Sequence, residues 1–245
     1  MKFAGKCAVI SGAARGIGRA TALKLAAAGA KVAMLDINGE GLETAAEAIR
    51  SAGGTALPMV VDITQQAEVK SAVAEILATF GQVDILVNCA GAGWHKHVRF
   101  KDLPDGSWEW ILDLNVKGTM YLTHAVVGNM VERQYGKIVN LGSIAGNVGL
   151  VGLAVYSASK GAITAFTKAL AMELGTSNIN VNCISPGLIA GDESKGKTEG
   201  NYLERWGSPN EVAELILFLV SENASYITGV DYLIDGGRVI GPRAR

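Results

Sequence analysis

Three residues near the middle of the chain could move a proton to or from a substrate oxygen: Ser143, Tyr156 and Lys160. Tyr156 and Lys160 are four residues apart in a run whose apolar residues recur at helical spacing, so both side chains lie on one helix face. A phenol titrates near pH 10, and a nearby ammonium group favours its charged form. This pair is therefore predicted to act as a general acid or base near neutral pH.

Ser143 follows an apolar run, KIVNLG, that predicts a buried strand. In open α/β sheets, ligands bind beyond the carboxyl ends of the strands, so Ser143 is placed where a substrate would be held. Each of the three residues also has an ordinary structural interpretation. A tyrosine and a lysine one turn apart are common on solvated helix faces, and a serine after a strand is common in turns. The rest of the chain decides between these interpretations.

A glycine-rich turn near the N-terminus predicts a binding site for a dinucleotide. Residues 6–10 are predicted as a strand, the turn reads SGAARGIG over residues 11–18, and a run with helix composition follows. Gly12, Gly16 and Gly18 let the backbone approach a pyrophosphate, which free N–H groups at the helix N-terminus would bind. The turn alone is weak evidence, since any tight strand-to-helix turn uses glycine.

Asp36 ends the next predicted strand, residues 31–35, about 20 residues after the turn. A carboxylate at this place would accept hydrogen bonds from the hydroxyls of an adenosine ribose. It would also repel the additional phosphate of NADP, so the sequence favours NAD. Arg15, in the glycine turn, could weaken this preference by pairing with that phosphate. The structural alternative for Asp36 is a turn or helix-cap residue.

The remaining pattern alternates strands with helices, which predicts a parallel sheet covered on both faces. Further strands are predicted at 55–61, 83–87, 137–141, 179–184 and 230–234, and helices at 40–52, 65–80, 108–131, around Tyr156, and at 209–220. We expect one α/β domain over residues 1–245. Residues 188–206 lack periodicity and are rich in Gly, Lys, Asp and Glu, which predicts a mobile loop over the site.

Other candidate binding residues follow predicted strands or interrupt a predicted helix. Asp62 follows the third strand, where it would approach an adenine or cap the next helix. Asn88, Ala90 and Gly91 follow the fourth strand, where an amide and small residues suit close backbone approach but also fit a plain turn. Asn115 is a poor helix former in the middle of a predicted helix, which indicates a tertiary role.

Composition limits the class of protein. With 245 residues, 49% of them hydrophobic and 18% charged, the chain can bury a sizeable core. The net charge is −1 and no basic stretch is interleaved with aromatic residues, which argues against nucleic-acid binding. No membrane span or export signal is predicted. Cys7, Cys89 and Cys183 are predicted to be reduced thiols of a cytoplasmic protein, and no metal site is predicted.

The motifs resemble those of a classical short-chain dehydrogenase/reductase over essentially the whole chain. SGAARGIG, Asp36, NCAG, Asn115, Ser143, YSASK and PG occur in the family's order. The resemblance implies a single-domain Rossmann fold with a doubly wound, seven-stranded parallel sheet and helices on both faces. It implies hydride transfer between NAD and a secondary alcohol or ketone. It also implies a homotetramer that packs the helices beginning near Trp108 and Tyr156 against symmetry mates.

The resemblance implies a catalytic tetrad of Asn115, Ser143, Tyr156 and Lys160. Tyr156 would be the general acid or base, Ser143 would hold the substrate oxygen, and Lys160 would bind the nicotinamide ribose and lower the pKa of Tyr156. Asn115 would help to place a water molecule that connects Lys160 to solvent. The implied cofactor site comprises Gly12, Arg15, Gly16, Ile17, Gly18, Asp36, Asp62, Ile63, Asn88, Ala90, Gly91, Tyr156, Lys160, Pro186, Gly187 and Ile189.

Some positions depart from the family pattern. Ser11 and Cys89 replace a threonine and an asparagine of the usual motifs. Gly191 stands where many relatives have a threonine that touches the cofactor, so that contact is in doubt. The segment between Gly187 and residues 205–207 is shorter than in many fatty-acid-type members, which suggests a reduced lid and an open pocket.

The sequence is less informative about the substrate. Residues 149–155, GLVGLAV, would line the site with small apolar surface, which suits a hydrophobic or cyclic alcohol. The basic stretch 94–99, WHKHVR, would suit a carboxylate or a CoA phosphate at the pocket mouth, or would be a solvated loop. An NAD-linked hydroxyacyl or alcohol dehydrogenase is preferred, and CoA thioesters, cyclic alcohols and polyols all remain open as substrates.

Two alternatives are an NADPH-dependent 3-oxoacyl-carrier-protein reductase and a non-catalytic dinucleotide-binding subunit of a complex. Gln134 and Ser177 occupy positions where such reductases carry arginines for the acidic carrier, and Asp36 disfavours NADPH. A fold alone does not prove a function, but the intact set of serine, tyrosine and lysine argues for an enzyme.

Overall fold

The computed structural model describes residues 2–93, 97–191 and 196–241. Its strands are β1 (Cys7–Ser11), β2 (Lys31–Asp36), β3 (Thr55–Val60), β4 (Ile85–Asn88), β5 (Gly136–Leu141), β6 (Ile179–Pro186) and β7 (Asp231–Ile234). They form one parallel sheet in the order β3-β2-β1-β4-β5-β6-β7. The predicted doubly wound, seven-stranded sheet is confirmed. The strand order reverses between β1 and β4, where such sheets open a crevice at their carboxyl edge.

Helices cover both faces of the sheet. They are α1 (Gly16–Ala27), α2 (Gly39–Ser51), α3 (Gln66–Phe80), α4 (Glu109–Leu112), α5 (Thr119–Arg133), α6 (Ile144–Val148), α7 (Ala154–Leu174) and α8 (Pro209–Leu219). Short 3₁₀ turns lie at Phe100–Asp102, Gly175–Ser177 and Glu222–Ala224. The predicted helices and strands differ from these bounds by a few residues at their ends, where local propensity is weakest. Helix α6 was not predicted.

Two apolar cores lie on the two sides of the sheet. Ala8 and Ile10 of β1 pack in the core formed with α1, α2 and α8, whereas Cys7 and Val9 pack in the core formed with α3, α5 and α7. Successive residues of a strand point to opposite faces, so a strand that is apolar throughout requires cover on both sides. The continuous apolar runs in the sequence have this physical origin.

The helix predicted at 108–131 is present, but it is not α-helical throughout. Residues Asp113–Gly118 form a π-helical turn between α4 and α5. Asn115 lies in this turn and is buried. A π-helical turn inserts one residue into the helical repeat and is common at functional sites. The physical reason for this one lies in the contacts of Asn115, which belong to the candidate site.

The described parts of the segment 188–206 are tied to their surroundings by backbone hydrogen bonds. Ala190 donates to the Gly207 carbonyl at 2.8 Å, and Tyr202 donates to the Gly236 carbonyl at 3.0 Å. The guanidinium group of Arg205 forms a two-pronged ion pair with Glu211 of α8, at 2.6 and 3.0 Å. Residues 192–195 of the predicted loop lie outside the described residues, and its mobility stays a prediction.

A charged cluster lies at the amino edge of the sheet, opposite the carboxyl edge. The Asp84 carboxylate is fully buried and accepts hydrogen bonds from the Cys7 amide, the Gln82 side chain and the Arg133 guanidinium. Lys6 lies 3.9 Å from the same carboxylate. A buried carboxylate is stable only when its oxygens are fully partnered, so this cluster ties β1, β4 and α5 together.

Within the described residues, no helix combines the length and apolar character needed to cross a bilayer. The same residues contain no group of three or more His, Cys, Asp and Glu side chains placed to hold a metal ion. Cys7, Cys89 and Cys183 are free thiols, of which Cys7 and Cys183 are buried.

Candidate active site

The glycine turn between β1 and α1 has a geometry that only glycine permits at two positions. Gly12 has a φ of 67°, and a Cβ atom there would lie 2.8 Å from the Ala90 nitrogen. A Cβ atom at Gly18 would lie 2.1 Å from the Gly12 carbonyl oxygen. The turn is therefore closed upon itself and pressed against the segment that follows β4. Larger residues at either position would open the turn.

The N-terminus of α1 is suited to an anion. Its N-cap residue, Arg15, has an extended backbone and an exposed side chain that makes no capping hydrogen bond, and the first turn holds no acidic residue. Gly16 has a φ of 56°, and a Cβ atom there would enter open space. Uncapped N–H groups at the positive end of a helix bind phosphate, and Ile17 contributes one of this first turn. The turn thus fits the pyrophosphate of a dinucleotide.

Asp36, at the carboxyl end of β2, is held beside this turn. One carboxylate oxygen accepts the Ala14 amide at 3.0 Å, and the other accepts the Asn38 amide at 3.0 Å. The carboxylate is only partly buried, so its remaining lone pairs face the crevice edge or solvent. A carboxylate oxygen accepts more than one hydrogen bond, and these two contacts leave capacity for a ribose hydroxyl.

Three residues of the predicted cofactor set, Asp62, Ile63 and Asn88, have side chains that contact other residues of the protein. Asp62 accepts hydrogen bonds from the Thr64 amide and hydroxyl at 2.9 and 2.8 Å, which forms a side-chain turn ahead of α3. The Ile63 side chain is buried and lies against Gly118. The Asn88 amide donates into the core, at 3.0 Å to Thr123 and 2.8 Å to Asn140. The Ile63 side chain and the Asn88 side-chain nitrogen are therefore already engaged within the protein.

The remaining predicted cofactor residues lie at the ends of β4 and β6. Ala90 donates its amide to the Ser11 hydroxyl at 3.1 Å. Pro186 ends β6, and a Cβ atom at Gly187 would lie 2.7 Å from the Asp235 side chain. Ile189 pairs with Gly207 in an isolated bridge. These segments border the crevice at the carboxyl edge, because β1, β4 and β6 are parallel and end on the same side.

Asn115 connects three segments of the site. Its side-chain oxygen accepts the Ala92 amide at 2.9 Å, and its side-chain nitrogen donates at 3.0 Å to the Ala92 carbonyl and at 3.0 Å to the Ser159 hydroxyl. A Cβ atom at Gly91 would lie 3.0 Å from the Asn115 oxygen and 3.2 Å from Lys160 Nζ. The π-helical turn places Asn115 in these contacts and brings the segment after β4 onto α7.

Ser143, Tyr156 and Lys160 converge at the carboxyl end of β5. Ser143 is the N-cap of α6, and its hydroxyl accepts the Ala145 amide at 3.2 Å. Tyr156 and Lys160 lie one turn apart on α7, with Lys160 Nζ 6.0 Å from the centre of the Tyr156 ring. Lys160 Nζ donates to the Leu141 carbonyl at 2.8 Å, two residues before Ser143. The structure thus brings the predicted tetrad together.

The ionisation of Tyr156 differs from the sequence-based prediction. Burial raises the pKa of Tyr156 above its usual value, while a hydrogen bond with Ser143 acts in the opposite direction. Burial also lowers the pKa of Lys160 to about 8. The prediction that Lys160 lowers the tyrosine pKa is therefore not met here. The ammonium group is bound to the Leu141 carbonyl, and removal of the phenol from water has the larger effect.

Lys160→Met is expected to change how stability depends on pH. At pH 7 both folded and unfolded chains hold the Lys160 proton, so folding carries the full cost of burying the charge. Between about pH 8 and 10.5 the folded chain has lost this proton and the unfolded chain retains it. The wild-type free energy of unfolding should therefore rise relative to that of the variant, by up to about 1.4 kcal/mol per pH unit.

Urea unfolding of both proteins at pH 7, 8, 9 and 10 measures this difference. Lys168→Met, which changes an exposed lysine of the same helix, is the matched control and should show no such trend. A constant difference between wild type and Lys160→Met across this range would contradict the prediction.

Sequence reasoning missed two buried polar groups that support the site. Ser159 is fully buried between Asn115 and the backbone of Tyr156, to which its hydroxyl donates at 2.7 Å. Asn140 lies inside β5 and links Asn88 to Thr167. Asn140 could have been found from the sequence, since it is an amide inside an otherwise apolar strand. A buried polar group requires a hydrogen-bonding partner.

Comparison with known proteins agrees with this geometry. A family model described as Enoyl-(Acyl carrier protein) reductase matches residues 12–238. The 3-oxoacyl-[acyl-carrier-protein] reductase FabG of Thermotoga maritima is 36% identical over 98% of this chain and 100% of that protein. The (2S)-[(R)-hydroxy(phenyl)methyl]succinyl-CoA dehydrogenase subunit BbsD of Thauera aromatica is 36% identical over 97% and 98%.

A solved structure of similar fold is the NAD⁺-bound xylitol dehydrogenase. It has a TM-score of 0.89 and 34% sequence identity, and the match covers 97% of this chain and 100% of that one. Matches of this extent, both in sequence and in fold, go beyond a shared nucleotide-binding half. With the intact set of glycine turn, serine, tyrosine and lysine, the chain belongs to the short-chain dehydrogenase/reductase family, and it is an NAD(P)-dependent oxidoreductase that acts on CH–OH groups.

Proposed function

We propose that the protein is an NAD-dependent dehydrogenase whose substrate is a hydroxyacyl-CoA or a hydrophobic or cyclic secondary alcohol. The observation that carries the proposal is the convergence of Asn115, Ser143, Tyr156 and Lys160 beside the glycine turn. A bound nicotinamide would accept or supply the hydride, which is chemistry that no amino-acid side chain performs.

In this proposal each residue of the tetrad has a separate task. Tyr156 transfers the proton of the substrate hydroxyl, and Ser143, whose hydroxyl acts to lower the pKa of Tyr156, holds the substrate oxygen. Lys160, whose pKa is lowered to about 8, is a buried cation. It would favour the phenolate of Tyr156 if its ammonium group turned towards the phenol oxygen. Asn115 keeps the Ala92 segment against α7 and so limits where a substrate can lie.

The preference for NAD rests on Asp36. Its carboxylate is fixed by the Ala14 and Asn38 amides, so it cannot turn away from a phosphate placed beside it without losing those bonds. A negative charge there disfavours the additional phosphate of NADP. Arg15, in the glycine turn, is exposed and would weaken this preference by pairing with that phosphate.

Asp36→Asn is expected to lower the preference for NADH over NADPH by about tenfold or more, equivalent to about 1.4 kcal/mol. The asparagine keeps an oxygen that can accept the Ala14 amide but removes the charge. The measurement is the dissociation constant of each reduced cofactor by fluorescence titration. Asp102→Asn is the matched control, because it removes a largely exposed carboxylate that lies outside the predicted cofactor set. An unchanged ratio in Asp36→Asn would exclude this role.

The proposed substrate surface lies between two segments near Tyr156. Val98 donates its amide to the Gly152 carbonyl at 3.0 Å, and the His97 ring contacts the Val151 carbonyl at 2.9 Å. A Cβ atom at Gly93 would lie 3.8 Å from the Tyr156 ring. The apolar stretch 149–155 therefore borders the site together with residues 97–99. Residues 94–96 of the basic stretch lie outside the described residues.

The relatives support more than one substrate class. One is named as a dehydrogenase subunit for a CoA ester, one as a reductase for an acyl carrier protein, and the solved structure as a dehydrogenase of xylitol. The exposed Arg99 at the mouth favours an anionic substrate end such as a CoA phosphate. The word subunit in one name keeps a non-catalytic role in a complex as the second candidate function.

The test is NAD⁺ reduction across a panel of 3-hydroxyacyl-CoA thioesters, free secondary and cyclic alcohols and polyols, with NADP⁺ in parallel. Turnover confined to thioesters supports the CoA assignment, and turnover of free alcohols alone removes it. Reaction only with NADP(H) and an acyl-carrier-protein thioester would establish the reductase alternative. NADH binding without any turnover would favour the non-catalytic subunit.

We also propose a cytoplasmic homotetramer. Trp110, Met120 and Met172, on α4, α5 and α7, are exposed apolar side chains, and so are Phe218, Tyr226, Leu233 and Ile240 in the C-terminal part of the chain. A tetramer with two-fold axes needs two different self-complementary patches on each chain. Light scattering should give about four times the chain mass of 25.5 kDa, and a mass of 25.5 kDa would reject the assembly.

A further inference from the structure

Asp231 is the first residue of β7, at the edge of the sheet, and it contacts two helices that carry the candidate site. Asn147 of α6 donates its side-chain amide to Asp231 Oδ2 at 2.8 Å. The Thr164 hydroxyl of α7 lies 3.2 Å from the same oxygen. That hydroxyl is 3.4 Å from the Lys160 carbonyl, so its single proton is directed to the nearer and charged acceptor. One carboxylate oxygen thus joins α6 to α7.

Both helices position residues of the candidate active site. Ser143 caps α6, and Asn147 lies one turn later on this five-residue helix. Thr164 follows Lys160 by one turn and Tyr156 by two turns on α7. The two helices touch through backbone, because a Cβ atom at Gly146 would lie 2.6 Å from the Lys160 carbonyl carbon. A shift of α6 against α7 would therefore change the separation of Ser143 and Tyr156.

A third contact of Asp231 leads to the residue before Ser143. Burial, together with the nearby Asp231 carboxylate, raises the pKa of Cys183 to about 12, so that it stays a thiol. A Cβ atom at Gly142 would lie 2.8 Å from Cys183 Sγ. The chain entering Ser143 thus rests on a side chain that lies near Asp231.

We propose that Asp231 is a positioning residue, whose carboxylate joins α6 to α7 and thereby holds Ser143 beside Tyr156. The expected change in turnover rests on the proposed function, whereas the claim that Asp231 holds Ser143 in place does not. Asp231 touches neither the tyrosine nor the lysine side chain in the contacts described, so its effect passes through Asn147 and Thr164.

Two variants separate the hydrogen bonds from the charge. Asp231→Val suits a strand but removes both acceptor oxygens, and Asp231→Asn keeps one oxygen that can accept from both helices. In Asp231→Val, kcat should fall about 10- to 100-fold while the NADH dissociation constant and KM change little, because misplacement of a reacting group acts on the chemical step. Asp231→Asn should recover most of the lost turnover.

A double-mutant cycle tests the route of this effect. Thr164→Val removes one partner of Asp231, and the combined Thr164→Val/Asp231→Val variant should lose little more turnover than Asp231→Val alone. Thermal unfolding of each variant identifies any that fail to fold. Additive losses in folded variants, or an Asp231→Asn variant as impaired as Asp231→Val, would overturn the proposal.

A spectroscopic readout does not depend on any substrate. The six tyrosines can be replaced biosynthetically by 3-fluorotyrosine, and the ¹⁹F resonance of Tyr156 is the one lost in Tyr156→Phe. The hydrogen bond with Ser143 lowers the pKa of Tyr156, so its ¹⁹F titration should move to higher pH in Asp231→Val and stay in place in Asp231→Asn.

An unchanged titration in Asp231→Val would overturn the proposal even if the enzyme is active. Conversely, a wild type that turns over no substrate of the panel would reject the proposed function, and the ¹⁹F titration would still decide whether Asp231 positions Ser143.

Discussion

Tyr156→Phe is expected to lower turnover by about 100- to 10,000-fold and to leave dinucleotide binding largely intact. The substitution keeps the aromatic ring, which lies near Gly93 and Lys160, and removes only the phenol hydroxyl. It therefore removes the group that is proposed to transfer the proton, without removing the ring that fills the site. The effect should appear in kcat with any substrate that the wild type accepts, because proton transfer belongs to the chemical step.

The measurement compares kcat and the NADH dissociation constant of wild type, Tyr156→Phe and Tyr226→Phe. Tyr226 is fully exposed on the surface, so its variant controls for the loss of a phenol hydroxyl as such. Turnover within a fewfold of wild type in Tyr156→Phe would refute the assignment of Tyr156 as the acid or base. Loss of NADH binding together with turnover would instead point to a damaged fold.

Motifs that depend on neighbours in sequence could be predicted from the chain alone. The turn around Gly12 and Gly18 leaves no room for a Cβ atom, so few sequences can form it. Tyr156 and Lys160 share a helix face by spacing, and Asp36 ends a strand beside the turn for the same local reason. The alternation of apolar runs with helices predicted a parallel sheet, because parallel strands need crossover helices, whereas the doubly wound, seven-stranded arrangement was implied by the family resemblance.

Features that depend on distant parts of the chain could not be predicted. Asn115, in the π-helical turn, is hydrogen-bonded to Ala92, which lies 23 residues away in the chain. Asp231 and Asn147, which are also hydrogen-bonded, lie 84 residues apart. The raised pKa of Tyr156 comes from burial, which is a property of the whole packing around the site. Sequence spacing places Lys160 near the ring but does not reveal that its ammonium group binds the Leu141 carbonyl.

Asp84→Asn is expected to lower the free energy of unfolding by about 3–5 kcal/mol. Asp84 is fully buried and accepts from Cys7, Gln82 and Arg133. An asparagine of the same shape presents an amide to the guanidinium group and leaves a positive charge without its partner. For a chain of this length, the loss corresponds to a melting temperature lower by about 6–20 °C.

The control is Asp102→Asn, which removes an ion pair between two largely exposed side chains, Lys101 and Asp102. Solvent screens that pair, so the change should be about 0–1 kcal/mol. Urea unfolding at pH 7 measures both variants, and a loss in Asp84→Asn no larger than in the control would contradict the prediction.

Asp84 lies at the amino edge of the sheet, whereas Ser143, Tyr156 and Lys160 lie at the carboxyl edge. Asp84→Asn should therefore keep the wild-type kcat at temperatures where it remains folded, while Tyr156→Phe should keep the wild-type stability and lose kcat. This opposite pattern follows from the sheet itself, because parallel strands separate the edge that stabilises the fold from the edge that gathers the reacting groups. A loss of kcat in folded Asp84→Asn would mean that the two edges are coupled through β4 and β5.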